Sequence, residues 1–173
     1  MTWLSVAPVL LASCVCAAQT AGTVEFQARV ISIVDGDTIT ILHDGVPERI
    51  RLHGIDCPER KQAFGTRAKQ FTGRLAREKT VTLRTHGKDR YGRTIAEVIL
   101  PDGRNLNHEI VRAGLAWWFR KYAPWDEDLS RLESEARTDK RGIWSEPGPM
   151  SPWTFRLMRK TRRKAPLPRS HGE

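Results

Sequence analysis

Three short segments of this chain hold the side chains that can act on a phosphate ester. They are Val34-Asp35-Gly36-Asp37-Thr38, Arg51-Leu52-His53-Gly54-Ile55-Asp56-Cys57-Pro58-Glu59 and Asp89-Arg90-Tyr91-Gly92-Arg93. A phosphodiester resists attack by water until its charge is neutralised from both sides. A hard divalent ion takes oxygen ligands, and Ca2+ accepts irregular geometry. Asp37, just past the Asp35-Gly36 turn, and Asp56, at a strand end, can converge on one ion, with the backbone carbonyl of Cys57 as a further ligand. Glu59 can orient or deprotonate the attacking water. Arg51 and Arg93 form the phosphate side, since guanidinium groups bind phosphate oxygens bidentately and stay charged at any working pH. Arg90 and Tyr91 can add a charge and a hydroxyl at a neighbouring phosphate.

Each of these residues also has a plainer reading. Asp-Gly is ordinary hairpin chemistry, which suffices for Asp35. A lone Glu59 suits a helix N-terminus, and a lone Arg51 or Arg93 suits an exposed strand. Tyr91-Gly92 suits a turn. His43, His53, His86, His108 and His171 show no metal-ligand spacing and read as surface or structural. Cys57, ahead of a proline and without a triad-like context, reads as packed rather than nucleophilic. Trp117, Trp118, Phe119 and Trp125 read as core, which leaves Tyr122 as a base-stacking candidate.

The elements that must position these residues are mostly strands. Phe26, Ala28 and Val30 alternate with Glu25, Gln27 and Arg29, a period of two. Thr38 to Leu42 and Glu48 to His53 read as the next strands, joined through an Asp44-Gly45 hairpin signal. Ile50 and Leu52 then face the core and put Arg51 on an open face. A helix follows over about 66–78, then strands at Thr80–Arg84 and Arg93–Leu100. A short helix runs from about Asn107, as its cap, to Ala113, with Gly114 as its stop. A third helix follows Pro124, with Asp126, Glu127 and Asp128 in its first turn and Lys140, Arg141 and Gly142 at its close. Three hairpin-linked strands, a helix and two more strands is the order of an OB-type barrel. The expected fold is mainly β with α: a five-stranded OB-fold barrel with three helices.

A length of 173 residues suits one compact domain, and a net charge of +9 favours a polyanionic partner. Residues 1–24 carry no charged side chain, and their apolar run suits a secretory signal followed by a short linker. Cleavage after Ala18 and lipidation at Cys14 are both readable. The expectation is a secreted or periplasmic protein, anchored to a membrane only if lipidated at Cys14. Either processing leaves no structural disulfide. Residues 146–173 are Pro/Gly-rich and then basic; Arg156 to Arg169 carries seven basic residues and no acidic one. That composition reads as a disordered tail, either merely solvated or a nucleic-acid tether.

Read jointly, the three segments, with Val111-Arg112-Ala113-Gly114-Leu115-Ala116 and Gly142-Ile143-Trp144, resemble the successive signature blocks of the staphylococcal nuclease-like family. The resemblance covers residues 25–145 and extends to Pro152-Trp153. It implies an OB barrel with three helices and Ca2+-dependent hydrolysis of DNA and RNA with little sugar specificity, leaving 3′-phosphate ends. It implies Asp37, Asp56 and the Cys57 carbonyl as calcium ligands, and Glu59 as general base. It implies Arg51 and Arg93 as the phosphate clamp, with Tyr91 and Tyr122 near the nucleotide. Cys57 stands where a threonine is common in the family, and Arg120 where the best-known member has a tyrosine that packs on the base. All five charged catalytic positions are filled, and no stable protein partner is expected of this monomer. The alternative is a non-catalytic basic OB-fold domain that binds nucleic acid. A pure binder, however, has no use for three acidic groups facing a polyanion.

Overall fold

The computed structural model describes residues 24–164. The expected export signal, with its candidate processing sites at Ala18 and Cys14, lies outside the described residues, as does the chain beyond 164. Five strands close into a barrel in the order β1-β2-β3-β6-β5: β1 (Glu25–Ile33), β2 (Thr38–His43), β3 (Val46–Leu52), β5 (Thr80–Lys88) and β6 (Thr94–Ile99). All neighbours are antiparallel except β3 and β6, which run parallel. Closure leaves the barrel no edge to protect. The short strands β4 (Ile55–Asp56) and β7 (Trp117–Trp118) pair outside it.

The period-two pattern fills the interior: Ala28, Val30, Ile39, Ile41, Ile50, Leu52, Val81, Leu83, Ala96 and Val98 are all buried. A bulge in β1 between Val30 and Ser32 shifts the register, so that Ile33 rather than Ser32 turns inward. The bulge also re-aims the chain that enters the Asp35 turn.

Helix α1 (Gly65–Ala76) packs against that turn. A Cβ at Gly36 would stand 2.8 Å from Ala68 Cβ and 2.8 Å from the Cys57 side chain, so only glycine lets the turn lie this close. The buried Thr72 hydroxyl donates to the Gly36 carbonyl at 2.6 Å and pins the turn to the helix. Asp37 is placed by this clamp.

Helix α2 (Leu106–Arg112) is capped by Asn105, whose side chain accepts from the N–H groups of Asn107 (2.9 Å) and His108 (3.4 Å). This corrects the expected cap at Asn107. That residue is buried and serves the barrel instead: its amide donates to the carbonyl of His53 at 2.9 Å and accepts from Val98 N–H at 3.2 Å. Helix α3 (Glu127–Thr138) is capped by Asp126, which accepts from Leu129 N–H at 2.9 Å. Gly114 ends α2 at φ +67°, and a Cβ there would meet the Arg141 carbonyl at 2.2 Å.

The expected disordered tail is in part a fourth helix, α4 (Pro152–Lys164). The basic composition conceals its start signal, Ser151 followed by Pro152 at the first helical position. The Ser151 hydroxyl accepts from Thr154 N–H at 3.4 Å, and Pro152 is buried.

Two substitutions test these packing constraints. Thr72→Val keeps the shape but orphans the Gly36 carbonyl, and urea denaturation should show a loss of about 1–3 kcal/mol. Gly114→Ala meets both positive φ and a backbone clash, and should cost on the order of 3 kcal/mol or more. Midpoints within error of the parent protein would refute either account.

Candidate active site

Arg51, near the end of β3, carries the centre of the site. One guanidinium nitrogen forms an ion pair with Asp37 Oδ1. The other donates to Asp56 Oδ1 at 2.8 Å and to the Ile55 carbonyl at 3.1 Å. The second oxygen of Asp37 accepts from Cys57 N–H at 2.6 Å. Asp37 and Asp56 are only 4% and 1% exposed. Two carboxylates so buried repel each other unless a cation sits between them. Arg51 is accordingly not on an open face: its side chain is 16% exposed, since the chain after β3 folds back over it through β4.

Arg93 immediately precedes β6. Its Nη1 lies 3.5 Å from the hydroxyl of Thr38, which itself donates to Asp37 Oδ1 at 3.3 Å. Asp89 holds Arg93 from the other side, at 2.8 Å through Nε. The same carboxylate accepts from the N–H groups of Tyr91 (2.9 Å) and Arg93 (3.0 Å). Burial opposes the ionisation of Asp89, but these bonds outweigh it and hold its carboxyl below the ordinary range. Tyr91 is exposed, with Arg90 4.7 Å and Arg93 5.8 Å from its ring centre. Tyr122 stands apart from this set. Its ring packs edge-on against Phe119 at 4.8 Å.

Glu59 projects from the loop after β4, where its N–H donates to Gln62 Oε1 at 3.1 Å. Its carboxylate accepts from Arg156 at 2.8 Å, a contact absent from the expectations drawn on sequence. Arg156, on α4, also grips Asp56, donating to Oδ2 at 2.7 Å and to Oδ1 at 3.3 Å. Burial opposes the charge of Arg156, and the bonds to Asp56 and Glu59 outweigh it and push its pKa up. Asp37, Arg51, Asp56, Arg156 and Glu59 thus alternate in sign along one chain of ion pairs. The contacts gather Arg51, Asp37, Asp56 and Cys57 directly, Glu59 through Arg156, and Arg93 through Thr38. Arg156 is 100 residues beyond Asp56 in the chain, and no local sequence signal links the two.

Cys57 packs against the Gly36 turn, and burial pushes its thiol well above the ordinary range despite Arg51 nearby. A neutral thiol is neither a nucleophile nor a soft-metal ligand. The Asp37 and Asp56 carboxylates therefore form an oxygen donor set, which suits a hard cation. Arg120, a departure noted in the sequence, lies 4.6 Å from the Trp118 ring centre and 3.7 Å from Glu133.

A different triplet lies elsewhere on the barrel. His53, in the turn after β3, His86 on β5 and Glu97 on β6 bring one ligand atom each within 4.8 Å of one another, and their sequence separation hides it. The two rings stack at 3.9 Å with only 8° between their planes. A nitrogen lone pair lies in its ring plane, so this stack does not aim both histidines at one ion. Burial and the neighbouring His86 hold His53 below the ordinary histidine range.

Comparison with known proteins agrees with this arrangement. Residues 49–146 match the family model described as staphylococcal nuclease homologue. An "Uncharacterized endonuclease" of Escherichia coli O157:H7 is 42% identical over 132 residues, covering 76% of this chain and 86% of that protein. "Protein ParB" of Escherichia coli is 39% identical, covering 80% of this chain and 84% of its own. A "Micrococcal nuclease" of Shigella flexneri is 39% identical, covering 76% and 81%. The matched span includes Arg51, Asp56, Glu59 and Arg93, on a closed five-stranded barrel. The chain belongs to the staphylococcal nuclease-like family.

Proposed function

We propose that this protein is a Ca2+-dependent nuclease that hydrolyses phosphodiester bonds in DNA and RNA. The observation that carries this reading is the meeting of Asp37, Asp56 and Arg51 at one nearly buried point, with Arg93 joined to it through Thr38. The relatives named endonuclease and micrococcal nuclease support the same reaction class. Contacts of this kind address phosphate rather than base or sugar, so both nucleic acids are included.

Asp37 and Asp56 would hold the ion, with the Cys57 carbonyl beside them. When bound, it supplies positive charge against the phosphoryl oxygens. Arg51 and Arg93 donate to the non-bridging oxygens and to the charge that develops as water adds in line. Glu59 orients the water and takes its proton. The bond from phosphorus to the 5′ oxygen breaks and the departing oxygen takes a proton from solvent, leaving a 3′-phosphate on one fragment and a 5′-hydroxyl on the other. Asp89 keeps Arg93 extended toward Thr38. Tyr91 and Tyr122, both exposed, offer ring faces to flanking nucleotides.

Cleavage of single- and double-stranded DNA and of RNA should appear in millimolar Ca2+ and vanish in excess chelator. Glu59→Ala, on a side chain 31% exposed, should keep the fold and lose at least about a hundredfold in rate, some 3 kcal/mol of transition-state stabilisation. Arg51→Ala should lose as much activity and, without divalent ions, about 3 kcal/mol or more of stability, because it leaves the buried Asp37 carboxylate without its cation. Salt-sensitive DNA binding with no cleavage under any divalent ion would sink the enzymatic reading in favour of a binding domain.

A further inference from the structure

Among the described residues, the aromatic and charged contacts of helix α4 with the rest of the protein lie near its start. Trp153 stacks on Phe119, with ring centres 5.4 Å apart and 8° between planes, and meets Trp117 edge-on at 6.4 Å. The Gln62 amide donates to the carbonyl of Met150, just ahead of the helix. Beyond Arg156 the helix stands away from the barrel, with Leu157 65% and Met158 50% exposed. A helix held by one turn and one aromatic stack has a low cost of detachment.

Among the described residues, the charged anchor of that turn is Arg156, and it grips two of the groups assigned above to hydrolysis. Among the described residues, Oδ2 of Asp56 has Arg156 as its hydrogen-bond donor, and so does Oε1 of Glu59. A carboxylate oxygen whose lone pairs accept from a guanidinium is not free to ligate an ion. One positive charge satisfies part of what a divalent ion would satisfy more fully at the same place.

We propose that Arg156 is a resident counter-cation of the active site, so that divalent-ion binding and release of the α4 start are one linked equilibrium. The inference rests on the calcium reading above. Arg156 adds a second cation to Asp56 and Glu59 while no ion is bound, because Arg51 alone leaves the three carboxylates of the site with excess negative charge. Ca2+ must displace it, so the apparent affinity for the ion is lowered by the population of the docked state. By reciprocity, Ca2+ must loosen α4 to the same extent. The residue thereby sets the ion concentration at which the site becomes competent. Once displaced, Arg156 remains beside the site as a positive charge within reach of the polyanionic substrate.

Isothermal titration with Ca2+ tests this without reference to activity. R156A should bind Ca2+ at least about fivefold more tightly than the unmodified protein, the lower end of typical couplings. R156K, which keeps the charge but loses the bidentate grip, should fall between them. W153A, which removes the aromatic anchor without changing any charge, should shift affinity in the same direction as R156A. Hydrogen exchange in the unmodified protein should quicken in α4 when Ca2+ is added. Equal or weaker Ca2+ binding by both R156A and W153A, with α4 exchange unchanged by the ion, would overturn the proposal while leaving the nuclease intact. Failure of the unmodified protein either to bind Ca2+ or to cleave would overturn both.

Discussion

Asp37 and Asp56 reach the same point from different parts of the chain, and at 4% and 1% exposure neither can be solvated there. Repulsion between two such carboxylates would drive the strand ends apart or force one of them to take up a proton. The guanidinium of Arg51, wedged between them, removes that conflict. Its planar fork can serve two acceptors at once, which a lysine could not do with the same rigidity. The rest of the architecture reads as what is needed to bring those three side chains together. The β2–β3 hairpin sets Thr38 opposite Arg51, the β1–β2 turn delivers Asp37, and the pairing of β4 with β7 holds Asp56.

Rigidity around this point comes from backbone-level packing rather than from the site itself. The Gly36 turn is pressed between α1 and Cys57 and tied down by Thr72. Buried Asn107 joins the carbonyl of His53 to β6. The Gly114 turn lies directly against Arg141, with Ile143 N–H donating to the Gly114 carbonyl at 2.8 Å. Each contact restrains a loop that would otherwise be free to drift, and a drift of about 1 Å in a catalytic group can cost two orders of magnitude in rate.

Substituting a cysteine at position 57 has a limited physical consequence in this setting. The side chain faces the Gly36 turn and stays protonated, and the backbone N–H fixes Asp37 whatever the side chain is. Arg120 is likewise occupied: its charge lies over Trp118 and near Glu133, a buried carboxylate that also accepts from Trp118 N–H at 3.0 Å.

The barrel strands, the first three helices and the residues bearing carboxylates and guanidiniums were legible in the sequence. Alternation, turn signals and capping are short-range effects, and the candidate groups fall within three short segments. The Asn105 cap was missed because two asparagines stand two residues apart, and only the tertiary hydrogen bonds of Asn107 assign the roles. Arg156 was unreadable as a site residue, since one arginine in a run of basic residues carries no local mark of its partner 100 residues earlier. The same holds for His53, His86 and Glu97, gathered from one turn and two strands. Sequence by itself determined the barrel strands, the first three helices and the chemical types available, but not α4, nor that Trp125, read as core, is 90% exposed. Only the tertiary structure decided which charges pair, because an ion pair depends on distance through space and on exclusion of water, and neither is set by separation along the chain.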